Sequence, residues 1–255
     1  MASNEGIVIA FDLYGTLLST ESIAGELATH FGEEKAQAIA ASWRKFVLQP
    51  LGYDDIRAKK PCQGFSSNIY KPFSEVTRAS LQHALSESSE TLSEENIVSL
   101  MKAYDSLGTF PDVAPGLRAI ASDPSISAYV FSNGTDSMVA SSIKFSPSLS
   151  PHAATFKDLI TVQEIGVFKP NPRVYQYFAK KVGKENDFGD IWLVSGNSLM
   201  LAVGMQAAWV DRGGKGWADR LGTLTPGGEP TIVVDGVEGA VNGIKGWAEN
   251  NGVKT

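Results

Sequence analysis

The segment IVIAFDLYGTL (residues 7–17) places a short apolar run directly before an aspartate, Asp12, and a glycine-containing turn. An uninterrupted apolar run such as IVIAF (7–11) is typical of a β-strand that is buried on both faces. Such strands form parallel sheets, and ligands bind in the crevice beyond the carboxyl ends of their strands. The segment therefore predicts a buried strand with Asp12 at the ligand-binding edge of a parallel sheet.

Further apolar runs of the same kind, each expected to be a strand buried on both faces, are AYVF (128–131), LITV (159–162), IWLV (191–194), AAWV (207–210) and TIVV (231–234). Amphipathic stretches such as 173–182 lie between them. Strands that alternate with helices predict an α/β fold, because each parallel connection crosses over through a helix. We expect a Rossmann-like, doubly wound parallel sheet with helices on both faces.

The stretch from 20 to 110 differs from the rest of the chain because it contains no comparable strand run. Its apolar residues recur at helical spacing, as in Ile23, Leu27 and Phe31. A Ser- and Glu-rich part, 86–96, predicts a junction between two helices with Ser93 as an N-cap. We therefore expect a discontinuous core, residues 1–19 and 111–255, with an inserted helical cap domain at 20–110.

Composition limits the classes of partner. The formal net charge of −6 argues against nucleic acid, because binding to phosphates is driven by clustered Lys and Arg. The single cysteine, Cys62, suits a reducing compartment, and no apolar run is long enough to span a bilayer. MASNEG (1–6) carries no apolar signal core, so we expect a cytoplasmic protein without a membrane partner. The sequence leaves a homodimer open.

Polar side chains follow the ends of several predicted strands. They comprise Asp12, then Ser132-Asn133-Gly134, then Lys169-Pro170, and finally Ser195-Gly196-Asn197. One such ending has a simple structural explanation, since Asp, Ser and Asn commonly cap helices and form turns. A carboxylate, two hydroxyls and an ammonium group expected at one edge instead favour a chemical site.

Four motifs resemble those of the haloacid dehalogenase superfamily: FDLYGTL (11–17), FSNG (131–134), VFKPNPRVY (167–175) and LVSGN (193–197). They are most similar to the L-2-haloacid dehalogenase (type II) branch, and their order and spacing extend over nearly the whole chain. The insertion after the first motif resembles the cap of that family. The resemblance implies a Rossmann-like haloacid dehalogenase core, and hydrolysis of carbon–halogen bonds in (S)-2-haloacids.

The resemblance also implies roles for individual residues. Asp12 would be the nucleophile that forms an ester intermediate. Lys169 and Ser195 would keep its carboxylate charged, Thr16 would orient it, and Asn197 would belong to the polar network around it. On the substrate side, Ser132 would bind the carboxylate, Arg44 and Asn133 the leaving halide, and Tyr14 and Tyr175 would complete the binding residues. Tyr175 has an equally good structural interpretation, as a helix residue that packs on the sheet.

The residue types argue against a metal site. Phosphatases of this superfamily carry a second Asp two residues after the nucleophile, and this chain has Tyr14 there. Mg²⁺ prefers oxygen ligands that include carboxylates. The three histidines, His30, His83 and His152, are far apart in sequence and do not suggest zinc. We therefore expect a hydrolase without metal or other cofactor, with a Mg²⁺-dependent phosphatase as the third-ranked alternative.

Two questions remain open in the sequence. Trp43 and Phe46, which flank Arg44, could line an apolar pocket or belong to the interior of the cap. The family's Ser-x-Asn-x-x-Asp pattern ends in an Asp that helps to activate water, whereas this chain has Met200 and no Asp or Glu between Ser195 and Trp209. The second function hypothesis is therefore a catalytically impaired relative that binds small carboxylates or has another role.

Overall fold

The computed structural model describes residues 6–48, 70–197, 204–217 and 228–252. Its centre is a parallel sheet in the order β3-β2-β1-β4-β5-β6. The strands are β1 Ile7–Phe11, β2 Ile126–Ser132, β3 Phe156–Thr161, β4 Ile191–Ser195, β5 Gln206–Val210 and β6 Ile232–Val234. The predicted parallel sheet is thus confirmed.

Strand β1 lies in the interior of the sheet, between β2 and β4. Ala10 pairs with Tyr129 of β2 and with Leu193 of β4. Every residue of β1 is buried, which explains its uninterrupted apolar sequence. The prediction that TIVV (231–234) is buried on both faces is wrong: β6 is an edge strand, and Val233 is 46% exposed.

Both faces of the sheet are covered by apolar side chains. Ile9 and Phe11 of β1 point into one hydrophobic cluster, whereas Val8 and Ala10 contribute to a second one. This separation follows from the two-residue period of a strand. The helices that flank the core strands are α5 Val113–Ala121, α6 Asp136–Phe145, α7 Pro172–Lys181 and α8 Val237–Asn250.

The stretch 20–110 is largely helical in its described residues, 20–48 and 70–110, as predicted. After a 3₁₀ turn at Thr20–Ile23, its helices are α1 Ala24–Phe31, α2 Glu33–Leu48, α3 Phe73–Glu87 and α4 Glu94–Ala103, with a further 3₁₀ turn at Tyr104–Ser106. The predicted helix junction is confirmed, since the Ser93 side chain accepts a hydrogen bond from Asn96 N at 3.3 Å. None of the described helices is both long and apolar enough to cross a membrane.

The two connections between these helices and the sheet lie side by side. Ser19 N donates to the Gly108 carbonyl at 2.8 Å, and Phe110 N donates to the Leu17 carbonyl at 3.3 Å. Leu18 and Thr109 form an antiparallel bridge between the same segments. The division into a core and a cap at 20–110 stays a prediction, and this double connection is where a hinge between the two parts would lie.

Candidate active site

Asp12 begins a tight turn at the carboxyl end of β1. Its amide donates to the Val194 carbonyl of β4 at 3.0 Å, which extends the sheet contact by one residue. Gly15 has a φ of +81°, a conformation that residues with a β-carbon rarely adopt. The turn brings Thr16 back over Asp12, so that two residues of one loop face each other.

Four side chains hold the carboxylate of Asp12. On one side, Lys169 Nζ lies 2.9 Å from Oδ1. On the other, Oδ2 accepts from Asn197 Nδ2 at 2.6 Å and from the hydroxyls of Thr16 and Ser195, both at 3.2 Å. The structure thus brings together the five residues for which the sequence predicted catalytic roles. Both oxygens of the carboxylate are thus paired, one with a cation and the other with three neutral donors.

Lys169 is fixed by the end of strand β2. Its Nζ donates to the Phe131 carbonyl at 2.6 Å and lies 4.9 Å from the centre of the Phe131 ring. Its backbone amide donates to Asn133 Oδ1 at 2.8 Å. Lys169 is only 8% exposed, so it is a buried lysine and not a solvated surface residue.

A cleft of about 420 Å³, including its open mouth, adjoins Asp12. Its polar lining includes Ser132, Asn133, Asn197 and Arg44. Ser132 Oγ accepts from Gly134 N at 3.0 Å, which leaves its own hydroxyl hydrogen free to donate elsewhere. The apolar side of the cleft is made by residues from both helical and strand-end segments, namely Tyr14, Val47, Leu48, Phe73 and Tyr104.

Arg44 reaches the cleft from α2. Its side chain is 35% exposed, and among the described residues it forms a long ion pair of 3.9 Å with Glu21. A β-carbon placed on Gly15 would be 3.4 Å from Arg44 Nη2 and 3.2 Å from Asn197 Oδ1. The guanidinium therefore lies over the turn that carries Asp12, and it contributes a positive charge to the lining of the cleft.

The neighbours of Arg44 face away from the cleft. Trp43 is buried, and its Nε1 donates to the Thr77 carbonyl of α3 at 2.8 Å. Phe46 packs edge-on against the ring of His83 at 4.4 Å. Of the two interpretations that the sequence left open, the structure favours helix packing for both residues.

Two tyrosines predicted near the substrate are deeply buried. Tyr14 lines the cleft, its hydroxyl is 3.1 Å from Ser142 Oγ, and burial raises its pKa well above the ordinary value. Tyr175 packs against Phe131, with ring centres 6.0 Å apart. Burial, and then the charge of Asp12, raise the pKa of Tyr175, which fits a neutral residue near the nucleophile.

The sequence did not predict the helical residues on the apolar side of the cleft, nor one arginine near Asp12. Val47, Leu48 and Phe73 look like ordinary helix residues, since only their tertiary position turns them toward Asp12. Arg212 follows β5 and donates to the Thr16 carbonyl at 2.6 Å. The strand-end argument, applied to β5, would have found it. Met200 and Cys62 lie outside the described residues.

The site supplies few metal ligands. Among the residues that the structure describes, no group of three or more His, Cys, Asp or Glu side chains is arranged to hold a metal ion. The polar groups nearest to the Asp12 carboxylate are the Asn197 amide at 2.6 Å and the Lys169 ammonium group at 2.9 Å, and both are hydrogen-bond donors rather than a second carboxylate. The donors around Asp12 are thus arranged to hold its anionic carboxylate and not a metal cation.

Comparison with known proteins agrees with this geometry. Residues 8–195 match the family described as haloacid dehalogenase-like hydrolase. The chain therefore belongs to the haloacid dehalogenase-like hydrolases, and it is a hydrolase of the haloacid dehalogenase type.

Individual relatives indicate the branch. The chain is 29% identical over 192 residues to (S)-2-haloacid dehalogenase 4A of Burkholderia cepacia, which covers 74% of each protein. Its fold is similar to that of the L-2-haloacid dehalogenase RSc1362, with a TM-score of 0.76, 23% identity and coverage of 94% and 98%. The L-2-haloacid dehalogenase of Xanthobacter autotrophicus has a TM-score of 0.75 and 22% identity, with coverage of 94% and 99%.

Proposed function

We propose that this protein is a metal-independent hydrolase that attacks small (S)-2-haloacids through an ester of Asp12. The observation that carries the proposal is the set of donors around Asp12, with Lys169 on one oxygen and three neutral groups on the other. Tyr14 stands where a phosphatase would have its second carboxylate. Displacing a halide requires neither a metal nor an acid that protonates the leaving group, so this set is sufficient for the first step.

In the first step, the Asp12 carboxylate attacks carbon 2 of the substrate from the side opposite the halogen. The carbon–halogen bond breaks, its electron pair leaves with the halide, and an ester forms. Three donors hold Oδ2 and prevent rotation, which favours Oδ1 as the attacking oxygen. Lys169 forms an ion pair with Oδ1 and so holds this oxygen in place before attack.

Local cations are needed for an anionic substrate, because the protein as a whole is acidic, with a formal net charge of −6. Arg44 at the cleft supplies a positive potential that draws the substrate in and stabilises the departing halide, together with the Asn133 amide. The hydroxyl of Ser132 is available for the substrate carboxylate. The apolar wall, including Phe73 and Tyr104, suits a short alkyl substituent.

In the second step, water adds to the ester carbonyl of Asp12, releases the 2-hydroxyacid and regenerates the carboxylate. This step benefits from a general base, and no Asp or Glu occurs between Ser195 and Trp209. That observation supports the second candidate function, a relative that captures or binds small carboxylates but hydrolyses the ester slowly. Both candidates share the first step and differ in turnover.

The experiment is intact-mass analysis after incubation with (S)-2-chloropropionate, together with assay of released chloride. We expect a mass increase of one propionate unit, which Asp12→Asn abolishes along with chloride release. Exhaustive chelation should leave labelling unchanged, and p-nitrophenyl phosphate should not be hydrolysed. Undiminished chloride release by Asp12→Asn would disprove the role of Asp12, and a Mg²⁺-stimulated phosphatase activity would disprove the branch assignment.

A further inference from the structure

Arg212 connects the end of β5 to the loop that carries the nucleophile. Its Nη2 donates to the Thr16 carbonyl at 2.6 Å, and its Nη1 forms an ion pair with Asp112. The guanidinium carbon lies 3.8 Å from the centre of the Phe110 ring. The side chain is 15% exposed, so these contacts are made with little competition from water.

The partners of Arg212 are themselves anchored. The second oxygen of Asp112 accepts from Val237 N, the first residue of α8, at 2.6 Å. Partial burial alone would raise the pKa of Asp112, but hydrogen bonds from Arg212 and Val237 keep it below its usual range. Phe110 belongs to the return connection of the helical insertion and donates its amide to the Leu17 carbonyl. The guanidinium is thus held by Asp112, which is anchored at α8, and it packs against Phe110 in the return connection.

Thr16 links this arrangement to Asp12. Its hydroxyl donates to Asp12 Oδ2 at 3.2 Å and accepts from Gly196 N at 2.9 Å. Gly196 itself packs so closely that a β-carbon would lie 2.5 Å from the Gly15 carbonyl oxygen. The hydroxyl can face both partners only if the Thr16 backbone is fixed, and Arg212 is the side chain that donates to its carbonyl.

We propose that Arg212 is a positioning residue for the reaction of Asp12, acting through the Thr16 backbone rather than by contact with substrate. This inference rests on the proposed function. Arg212 is not among the described residues that line the cleft, so we expect it to act without contact with the substrate. Among the described residues its buried Nε–H has no hydrogen-bond partner, so its hydrogen bonds there are made by the two Nη atoms.

The expected consequence follows from the geometry of nucleophilic attack. The Asp12 oxygen and the substrate carbon must be aligned, and a displacement of about 1 Å costs on the order of 100-fold in rate. Without Arg212, the Thr16 carbonyl loses its donor and the turn is free to shift. Orientation of Asp12 is then lost while Arg44, Ser132 and Asn133 still bind the substrate.

The test compares Arg212→Met and Arg212→Lys with the matched control Lys184→Met. Lys184 also forms an ion pair within the protein, 2.7 Å from Asp190, but it lies before the amino end of β4. At saturating (S)-2-chloropropionate, Arg212→Met should label Asp12 at least about 10-fold more slowly than the unmodified protein. The half-saturating concentration should change little, and Arg212→Lys should recover part of the rate. Lys184→Met should label at the normal rate even if its Tm falls equally.

A double variant identifies the route of the effect. If Arg212 acts through Thr16, the Arg212→Met substitution should slow labelling much less in a Thr16→Val background than in the unmodified protein. The proposal is overturned if the rate losses of Arg212→Met and Thr16→Val multiply in the double variant. It is also overturned if Arg212→Met and Lys184→Met lose labelling rate equally for an equal fall in Tm. Arg212→Lys provides the same comparison if Arg212→Met does not fold.

A second readout does not depend on reactivity. The Gly196 amide donates to the Thr16 hydroxyl, so Arg212→Met should increase hydrogen exchange at Gly196, whereas Lys184→Met should not. Unchanged protection of Gly196 in Arg212→Met would overturn the inference even if the unmodified protein forms ester. If the unmodified protein forms no ester, the proposed function fails, and exchange at Gly196 still decides the inference.

Discussion

Lys169 Nζ lies 2.9 Å from Oδ1 of Asp12, and the two side chains are only 11% and 13% exposed. The residues are 157 positions apart in the chain, yet they meet because both follow strands of one parallel sheet. Breaking an ion pair of this kind by removing one partner leaves an uncompensated charge. The pair therefore links the reactivity of Asp12 to the stability of the fold.

Lys169→Met should reduce ester formation at least about 100-fold, since one preorganised charged donor is lost. It should also destabilise the protein, by up to about 3–5 kcal/mol. Adding Asp12→Asn should recover part of the lost stability, because a neutral amide then replaces the carboxylate that has lost its cation. Intact mass and denaturant unfolding measure the two effects. A double variant that is less stable than Lys169→Met would contradict this account.

Arg44→Ala should slow ester formation about 10-fold or more and leave the free energy of unfolding within about 0.5 kcal/mol. The small stability effect is expected because the contact of Arg44 with Glu21 is long, at 3.9 Å, and solvent-exposed. Glu21→Gln is the matched control and should label normally. A destabilisation of several kcal/mol by Arg44→Ala would instead identify Arg44 as a structural ion-pair partner.

Chloride release should show a burst close to one equivalent per protein, followed by slow turnover. General-base assistance contributes about 10²–10⁴-fold, and this chain has Met200, with no Asp or Glu between Ser195 and Trp209, where the motif resemblance predicts a water-activating Asp. A thioether is not a useful base. Hydroxylamine attacks the ester carbonyl and releases the 2-hydroxyacid, so it should replace the propionate adduct seen by mass with a smaller Asp12 hydroxamate adduct and block further labelling. Rapid steady-state release without a burst would show that another group activates the water.

Asp105 should make the protein less stable as pH rises from about 4 to about 6. Partial burial raises its pKa to about 6, compared with about 3.9 in an unfolded chain. The folded state therefore binds more protons in this window, and the free energy of unfolding falls with increasing pH. Asp105→Asn should be more stable at pH 7 by roughly 1 kcal/mol, allowing for solvent screening.

Asp123 provides a control of opposite sign. A hydrogen bond from Lys245, 2.6 Å away, and another from Ser125 hold the pKa of Asp123 below its usual range. Such a group stabilises the fold above its unfolded pKa, and this contribution is lost as the pH falls through its folded pKa. Asp123→Asn should thus be less stable at pH 7. Chemical denaturation at pH 4 and pH 7 distinguishes the two variants, and equal effects of Asp105→Asn at both pH values would contradict the prediction.

The sequence by itself determined the strands, their parallel arrangement and the residues that end them. The strands and the residues that end them are local features, because a short apolar run and a following Asp, Ser or Gly depend on burial and turn chemistry within a few residues. The parallel arrangement followed from the alternation of strands and helices along the chain. IVIAF (7–11) gave a fully buried strand, and Ser93 gave a helix N-cap. The order of four short motifs also indicated the family before any distance was known.

Only the tertiary structure decided which of these residues touch and what surrounds them. TIVV (231–234) has the composition of a buried strand, but its place at the sheet edge exposes Val233. Trp43 and Arg44 are adjacent in sequence, yet only Arg44 reaches the cleft, because neighbours on a helix point about 100° apart. Arg212 acquires its contact with Thr16 from the way β5 is placed in the sheet. Such contacts depend on packing between distant segments, which no local pattern encodes.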